Sequence, residues 1–213
     1  MPLKAAIVPV TPFDQNCTLI WDEATGRGAV VDPGGDLDRI EAGIAKAGMT
    51  VEKILLTHGH IDHAAGAAEL KEKLGGIPIE GPHSDDKFLL DSLENAAVQF
   101  GMQGARAVTP DLWLAEGDKV TFAGATFSIL HCPGHSPGSV AYINEAQRFA
   151  LVGDVLFRGS IGRTEGLPRA DHGTLIQSIK TKLLPLGDEF AFICGHGPTS
   201  TIGQERRSNP FLV

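Results

Sequence analysis

The stretch Thr57-His58-Gly59-His60-Ile61-Asp62-His63 places three imidazoles and a carboxylate within six residues. It follows Val51–Leu56, which reads as a buried strand, and it runs into an Ala-, Glu- and Leu-rich segment, His63–Leu74, that predicts a helix ended by Gly75-Gly76. A strand end feeding a helix start is where functional groups converge outside a sheet. With 8 histidines in 213 residues, an HxHxDH match arises by chance on the order of 0.001 times in such a chain, so accidental clustering is set aside. Neutral imidazoles with a carboxylate are the ligand set of a borderline divalent cation such as zinc.

Three other apolar runs end in the same way. Ser128–Cys132 leads into Pro133-Gly134-His135, Phe149–Val152 into Gly153-Asp154, and Ala191–Cys194 into Gly195-His196. A glycine lies beside each candidate, and its backbone freedom allows the turn to bring the side chain back over the sheet edge. The candidate ligands are then His58, His60, Asp62, His63, His135, Asp154 and His196. His83, His131 and His172 lack this strand-end setting and are not assigned to a metal.

Outward from these ends, strands are predicted at Lys4–Val10, Cys17–Trp21, Gly28–Val31, Ile77–Glu80, Lys119–Phe122, Thr126–His131 and Ser139–Ile143. Helices are predicted from Asp36 to a Gly48 stop, over Ser84–Gln99 with Ser84 as N-cap, over His172–Leu184, and near Ile202–Arg207. The expectation is one domain over residues 1–213, an α/β fold of two sheets packed face to face with helices outside. A chain with 42% hydrophobic and 21% charged residues has an ordinary globular composition. A formal charge of −8 makes a nucleic acid or an anionic membrane surface a poor partner. Three cysteines far apart in sequence, and an N-terminus without a basic region and long apolar stretch, suggest reduced thiols and a cytoplasmic protein. No heptad run indicates an oligomeric state.

The segments THGHIDH, CPGHSPGS, VGDVLF, GRT and CGHGP, in this order, resemble the metallo-β-lactamase superfamily, and within it the short bacterial glyoxalase II-like hydrolases. The resemblance implies an αββα sandwich with two divalent ions at the sheet edge, zinc foremost, iron or manganese as alternatives. By the same resemblance His58, His60 and His135 hold the first ion, Asp62, His63 and His196 the second, and Asp154 bridges them. The implied activity is hydrolysis of a small-molecule thioester, S-2-hydroxyacyl glutathione above others, by a water-derived nucleophile held between the ions. Asp62 is the candidate for orienting that nucleophile as well as a ligand. Cys132, three residues before His135, is read as packing rather than as a nucleophile.

Arg163 matches the family's basic residue after Gly-x-Gly, and it serves either a substrate carboxylate or a structural ion pair. Thr164 and Glu165 replace the aromatic positions that follow, and only Gly197–Val213 comes after the last ligand, so weaker recognition of glutathione is expected. The longer glyoxalase II enzymes carry a C-terminal helical extension that clasps glutathione; Arg206 and Arg207 could substitute for it or be solvated surface residues. Two relatives remain alternatives on the same scaffold. A persulfide dioxygenase would use His58, His135 and Asp154 alone around one iron; a lactone hydrolase is the other.

Overall fold

Short turns at residues 11–14 and 23–26 pair the first strands as a meander. Strands β1 (Leu3–Val10), β2 (Gln15–Asp22) and β3 (Arg27–Val31) are antiparallel neighbours in the computed structural model, which describes residues 3–213. Helix α1 (Leu37–Ala47) then crosses over, burying Ile40 and Ile44 one turn apart, and Gly48 ends it in the left-handed conformation. A crossover of this length returns the chain parallel, and β4 (Thr50–Leu55) and the short β5 (Ile79–Glu80) extend the sheet in the order β1-β2-β3-β4-β5. Only the last two residues of β4, Ile54 and Leu55, are buried. Glu52 instead pairs with Arg27, and Lys53 with Glu80 at 2.5 Å, because this strand passes through the solvent-facing part of the sheet before reaching the core.

The second half builds the facing sheet. Strands β6 (Lys119–Phe122), β7 (Ala125–His131), β8 (Val140–Asn144) and β9 (Phe149–Gly153) form an antiparallel meander. A two-residue hairpin, β10 (Leu156–Phe157) with β11 (Ser160–Ile161), follows. Then α6 (His172–Ser178) leads to β12 (Ala191–Cys194) parallel to β9, and β13 (Ser200–Thr201) closes the edge before α7 (Ile202–Ser208).

Residues alternate between two dry layers along each central strand. Leu19, Val30 and Ile54 face α1 and the other helices of the first sheet, while Ile20, Ala29, Val31 and Leu55 face the second sheet. On β8, Val140 and Tyr142 point between the sheets and Ala141 and Ile143 point toward α6. Burial of both faces explains why these strands read as continuous apolar runs. The arrangement is the αββα sandwich of mixed sheets expected from the sequence.

Three local expectations are corrected. The helix expected at His63–Leu74 starts earlier and breaks in two, α2 (Ile61–Ala64) and α3 (Ala67–Lys73), because the Gly66 N–H donates to the Pro33 carbonyl at 2.9 Å. The helix expected at Ser84–Gln99 is a single tight turn, then α4 (Lys87–Asp91) and α5 (Leu93–Phe100), with a bend at Ser92, whose hydroxyl donates back to the Leu89 carbonyl. Its cap is His83 rather than Ser84, since the His83 ring accepts the Asp85 N–H at 3.2 Å. Among the described residues no helix is long and apolar enough to cross a membrane.

Candidate metal centre

Strand direction brings the sequence-distant candidates to one edge. Strands β7, β9 and β12 run the same way, so His135, Asp154 and His196 follow strands that end on the same side. The start of β2 stitches the first sheet to that edge. The Asn16 amide side chain donates to the carbonyls of Cys194 and Gly197 at 2.9 and 2.8 Å, and its N–H to that of Gly195 at 2.7 Å. The Tyr142 hydroxyl donates to the Leu56 carbonyl at 2.8 Å, tying the second sheet to the residue before Thr57-His58.

All seven candidate ligands meet there, in two groups. His58 Nε2, His60 Nδ1 and His135 Nε2 converge, with His135 Nε2 lying 3.2 Å from His58 and 2.9 Å from His60. Asp62, His63 and His196 form the second group, with His196 Nε2 at 3.2 Å from an Asp62 oxygen. Asp154 lies between them. One of its oxygens is 3.4 Å from His63 Nε2, and the other is 3.5 Å from both His135 Nε2 and His196 Nε2.

The outer hydrogen bonds set which ring nitrogen faces inward. His63 Nδ1 donates to Asp32 at 2.9 Å, His135 Nδ1 to the Arg163 carbonyl at 2.7 Å, and His196 Nδ1 to the Phe13 carbonyl at 3.1 Å. His58 Nδ1 donates to the Thr57 hydroxyl at 3.0 Å, since that hydroxyl already donates to Asp32. Four rings therefore turn a lone pair toward one another and toward carboxylates. Such an arrangement is repulsive unless a cation sits among the lone pairs. Buried polar atoms without a partner include His60 Nε2, His63 Nε2 and Asp154 Oδ1, two of which point into this space. Nitrogen separations near 3 Å also suit ligands that each stand about 2.0–2.1 Å from a shared zinc-like ion. The donor set fits a divalent metal.

Electrostatics divides the cage. Burial, then the neighbouring imidazoles, holds His58 well below its usual range, and burial with the adjacent His135 pushes His60 down to about 3. Both stay neutral, as ligands must. Burial opposes charge on His63 as well, but Asp154 and Asp62 overcome it and raise its pKa; Asp62 does the same for His196. The same carboxylate field that attracts a proton to these rings attracts a metal cation. Asp154 is held well below the carboxylate range by His63, His135 and His196 against the opposing effect of burial.

All three strand-end glycines leave no room for a Cβ, which would stand 2.3 Å from Leu175 at Gly134 and 2.4 Å from Thr57 at Gly153, but only two of them also need the backbone freedom. Gly134 and Gly153 have φ of 138° and 50°, the backbone freedom expected of them. Gly195 does not: a Cβ there would stand 2.0 Å from an Asp154 oxygen and 2.5 Å from the His63 ring, so it is needed for clearance.

Two supporting carboxylates escaped the sequence reading. Asp32 was legible only as part of the turn Asp32-Pro33-Gly34-Gly35, yet it accepts the Thr57 N–H and hydroxyl at 2.7 and 2.6 Å besides the His63 ring. Its position after the apolar β3 was the available signal. Asp86 is fully buried and accepts the Gly59 N–H at 2.8 Å, the Ser136 hydroxyl at 2.7 Å and the Gly138 N–H at 2.6 Å. It clamps the loop carrying His58 and His60 to the loop carrying His135. Nothing in its local sequence, Ser84-Asp85-Asp86, distinguishes it from an ordinary acidic helix start.

A cavity of about 610 Å³ opens over the cage, and His60, Asp62, His135, Asp154 and His196 contribute to its lining. Arg163 lines it too, and among the described residues no carboxylate lies within ion-pair distance of its guanidinium, which leaves the structural ion-pair reading without a partner. Arg206 and Arg207 do not line the cavity; both pair with Asp188 on the surface, at 2.8 and 3.5 Å. Cys17, Cys132 and Cys194 are free and buried, and burial pushes the Cys132 thiol up to about 12. Of the other histidines, His83 and His131 stack at 4.1 Å beside Asp85, away from this cage.

The model of the metallo-beta-lactamase superfamily matches residues 10–196. The hydroxyacylglutathione hydrolase GloC of Haemophilus influenzae is 48% identical over 99% of this chain and 98% of its own length. Crystal structures of the BLEG-1 B3 metallo-beta-lactamase and of TTHA1623 in a di-iron-bound form superpose with TM-scores of 0.89 and 0.86, at 34% and 36% identity. They are covered over 99% and 100% of their chains, by 98% and 97% of this one. With the fold, the strand-end cage and these likenesses in agreement, the chain belongs to the metallo-beta-lactamase superfamily.

Proposed function

We propose that this protein is a thioester hydrolase of the glyoxalase II type, acting on S-2-hydroxyacyl glutathione through two divalent ions, with zinc foremost and iron or manganese as alternatives. The observation that carries the reading is the Asp154 carboxylate between two groups of inward lone pairs, 3.4 Å from His63 on one side and 3.5 Å from His135 on the other. Identity of 48% to a hydroxyacylglutathione hydrolase over nearly the whole chain supports the substrate class. In this reading His58, His60 and His135 would hold one ion and Asp62, His63 and His196 the other, with Asp154 available to both.

Divalent ions, if held by these residues, would supply Lewis acidity toward an acyl oxygen and would bring the acidity of water near neutrality. The chain's own residues supply position. Asp62, part-buried at the cavity floor, would orient the attacking water through its carboxylate. Arg163 holds a substrate carboxylate, so that the acyl carbon stays over the floor. The leaving thiolate derives from a thiol with a pKa of about 8.5 and needs no strong side-chain acid. Cys132 takes no part, because it is fully buried and its thiol stays protonated.

Elemental analysis of the metal-loaded protein, with thioester hydrolysis and oxygen uptake assayed in parallel, tests the reading. Two ions per chain and release of free thiol without oxygen uptake are expected. Oxygen consumption with glutathione persulfide, one iron per chain, and unchanged activity in His63→Ala and His196→Ala would establish the dioxygenase instead.

A further inference from the structure

The walls of the cavity differ from its floor. One wall is the bent pair α4–α5, which presents Leu89, Leu93, Ala96 and Phe100, and Phe13 from the β1–β2 turn joins it. Phe13 and Phe100 meet edge to face at 5.6 Å, and they are 41% and 51% exposed. Phe13 is not a loose surface residue, since its carbonyl holds the His196 ring. The aromatic pair is thus attached to the cage itself. Polar residues on this wall, Ser92, Asn95 and Gln99, carry no charge. Among the described residues Arg163 is the only lysine or arginine of the lining, and it lies on the segment that continues through Gly166-Leu167-Pro168 along another part of the lining.

An apolar surface that opens on a polar floor leaves water poorly hydrogen-bonded, so it favours an apolar substituent on the group that reacts at the floor. The free guanidinium favours one carboxylate in the same ligand. We propose that this site selects thioesters with a bulky apolar acyl group, aromatic above all. The acyl group lies along Leu89, Ala96, Phe100 and Phe13, while a carboxylate on the thiol side pairs with Arg163. The inference rests on the thioester reading above and specifies its substrate: a 2-hydroxyacyl thioester with an aryl or branched substituent is preferred to one with a methyl group.

Binding of thioethers, which cannot be hydrolysed, separates this inference from the activity itself. The affinities of S-benzylglutathione and S-methylglutathione for the zinc-loaded protein are measured by titration calorimetry. S-Benzylglutathione is expected to bind at least tenfold more tightly. Tenfold is about 1.4 kcal/mol, which about 60 Å² of apolar surface removed from water supplies. In Phe100→Ala, a substitution at a half-exposed position, the ratio should fall to about threefold or less; in Arg163→Ala both ligands should weaken at least fivefold with their ratio kept. Equal affinities in the wild type, a ratio unchanged in Phe100→Ala, or no binding of either thioether would overturn the proposal. Turnover of a hydroxyacyl glutathione thioester is assayed beside it: loss of turnover with the binding ratio intact would count against the hydrolase reading and not against the apolar wall.

Discussion

Asp86 shows how a single carboxylate can govern a site it does not enter. Its two oxygens receive three donors from two loops, and burial raises its pKa to about 6, so at neutral pH it is ionised and acts only as an acceptor. Asp86→Asn keeps the shape but turns an NH2 toward the N–H of Gly59 or Gly138. One of these donors loses its partner, at a cost of about 1–3 kcal/mol. Zinc affinity of the group formed by His58, His60 and His135 is expected to fall about 10–100-fold, the usual effect of losing an outer-shell partner. Chelator competition measures it, and unchanged affinity in a folded variant would limit Asp86 to packing. The sign of the pH effect follows from the raised value. The folded protein keeps this proton to higher pH than the unfolded chain, so the Asp86 contribution is fully present below the ordinary aspartate value of 3.8 and is lost as pH rises through about 6. The stability of metal-free wild type relative to Asp86→Asn should therefore decline across that interval.

At the scale of elements, the site depends on strands that cross-tie the sheets. Tyr142 in β8 is fully buried, and its hydroxyl lies 2.8 Å from the Leu56 carbonyl and 3.2 Å from that of Glu80. It thus joins the ends of β4 and β5 to the opposite sheet. Tyr142→Phe keeps the ring and removes the donor, and a loss of about 1–2 kcal/mol in chemical denaturation is expected. No change would mean that the backbone carbonyls find other donors. The C-terminal helix has a comparable task. Glu205 of α7 is buried, accepts the Gly159 N–H at 2.7 Å and the Asn209 amide at 2.9 Å, and so anchors the β10–β11 hairpin that follows Asp154.

For the whole molecule, metal binding and stability are linked, because the cage joins both sheets. Residues 57–63 follow β4 of the first sheet, and His135, Asp154 and His196 follow β7, β9 and β12 of the second. A cation that binds only the assembled cage stabilises the fold by about 2.7 kcal/mol at one hundred times its Kd. For a chain of this size that raises Tm by about 5–10 °C. Scanning calorimetry of metal-free protein with and without added zinc should show the rise, and Asp154→Ala should abolish most of it. An equal rise in Asp154→Ala would mean that zinc acts elsewhere.

In the sequence by itself, the strands, the strand-end candidate ligands and the motifs that resemble a family were legible. Runs such as Val140–Ile143 and Phe192–Cys194, apolar at successive positions, read as strands covered on both faces, and HxHxDH reads as a concentrated ligand set. Ligands sit next to one another in the chain or at strand ends, so their clustering is a local or periodic property that a linear reading detects. Only the tertiary structure decided what holds and surrounds them. Asp86 supports His58 and His135 from a helix start with no mark in its own neighbourhood. Arg163 proved to lack an ion pair, and Phe13 and Phe100, 87 positions apart in the numbering, met over the cage. These are contacts between residues whose separation in sequence carries no period. Their partners are selected by the packing of the two sheets and by the bend at Ser92, where desolvation and hydrogen-bond geometry, rather than local propensity, set the outcome.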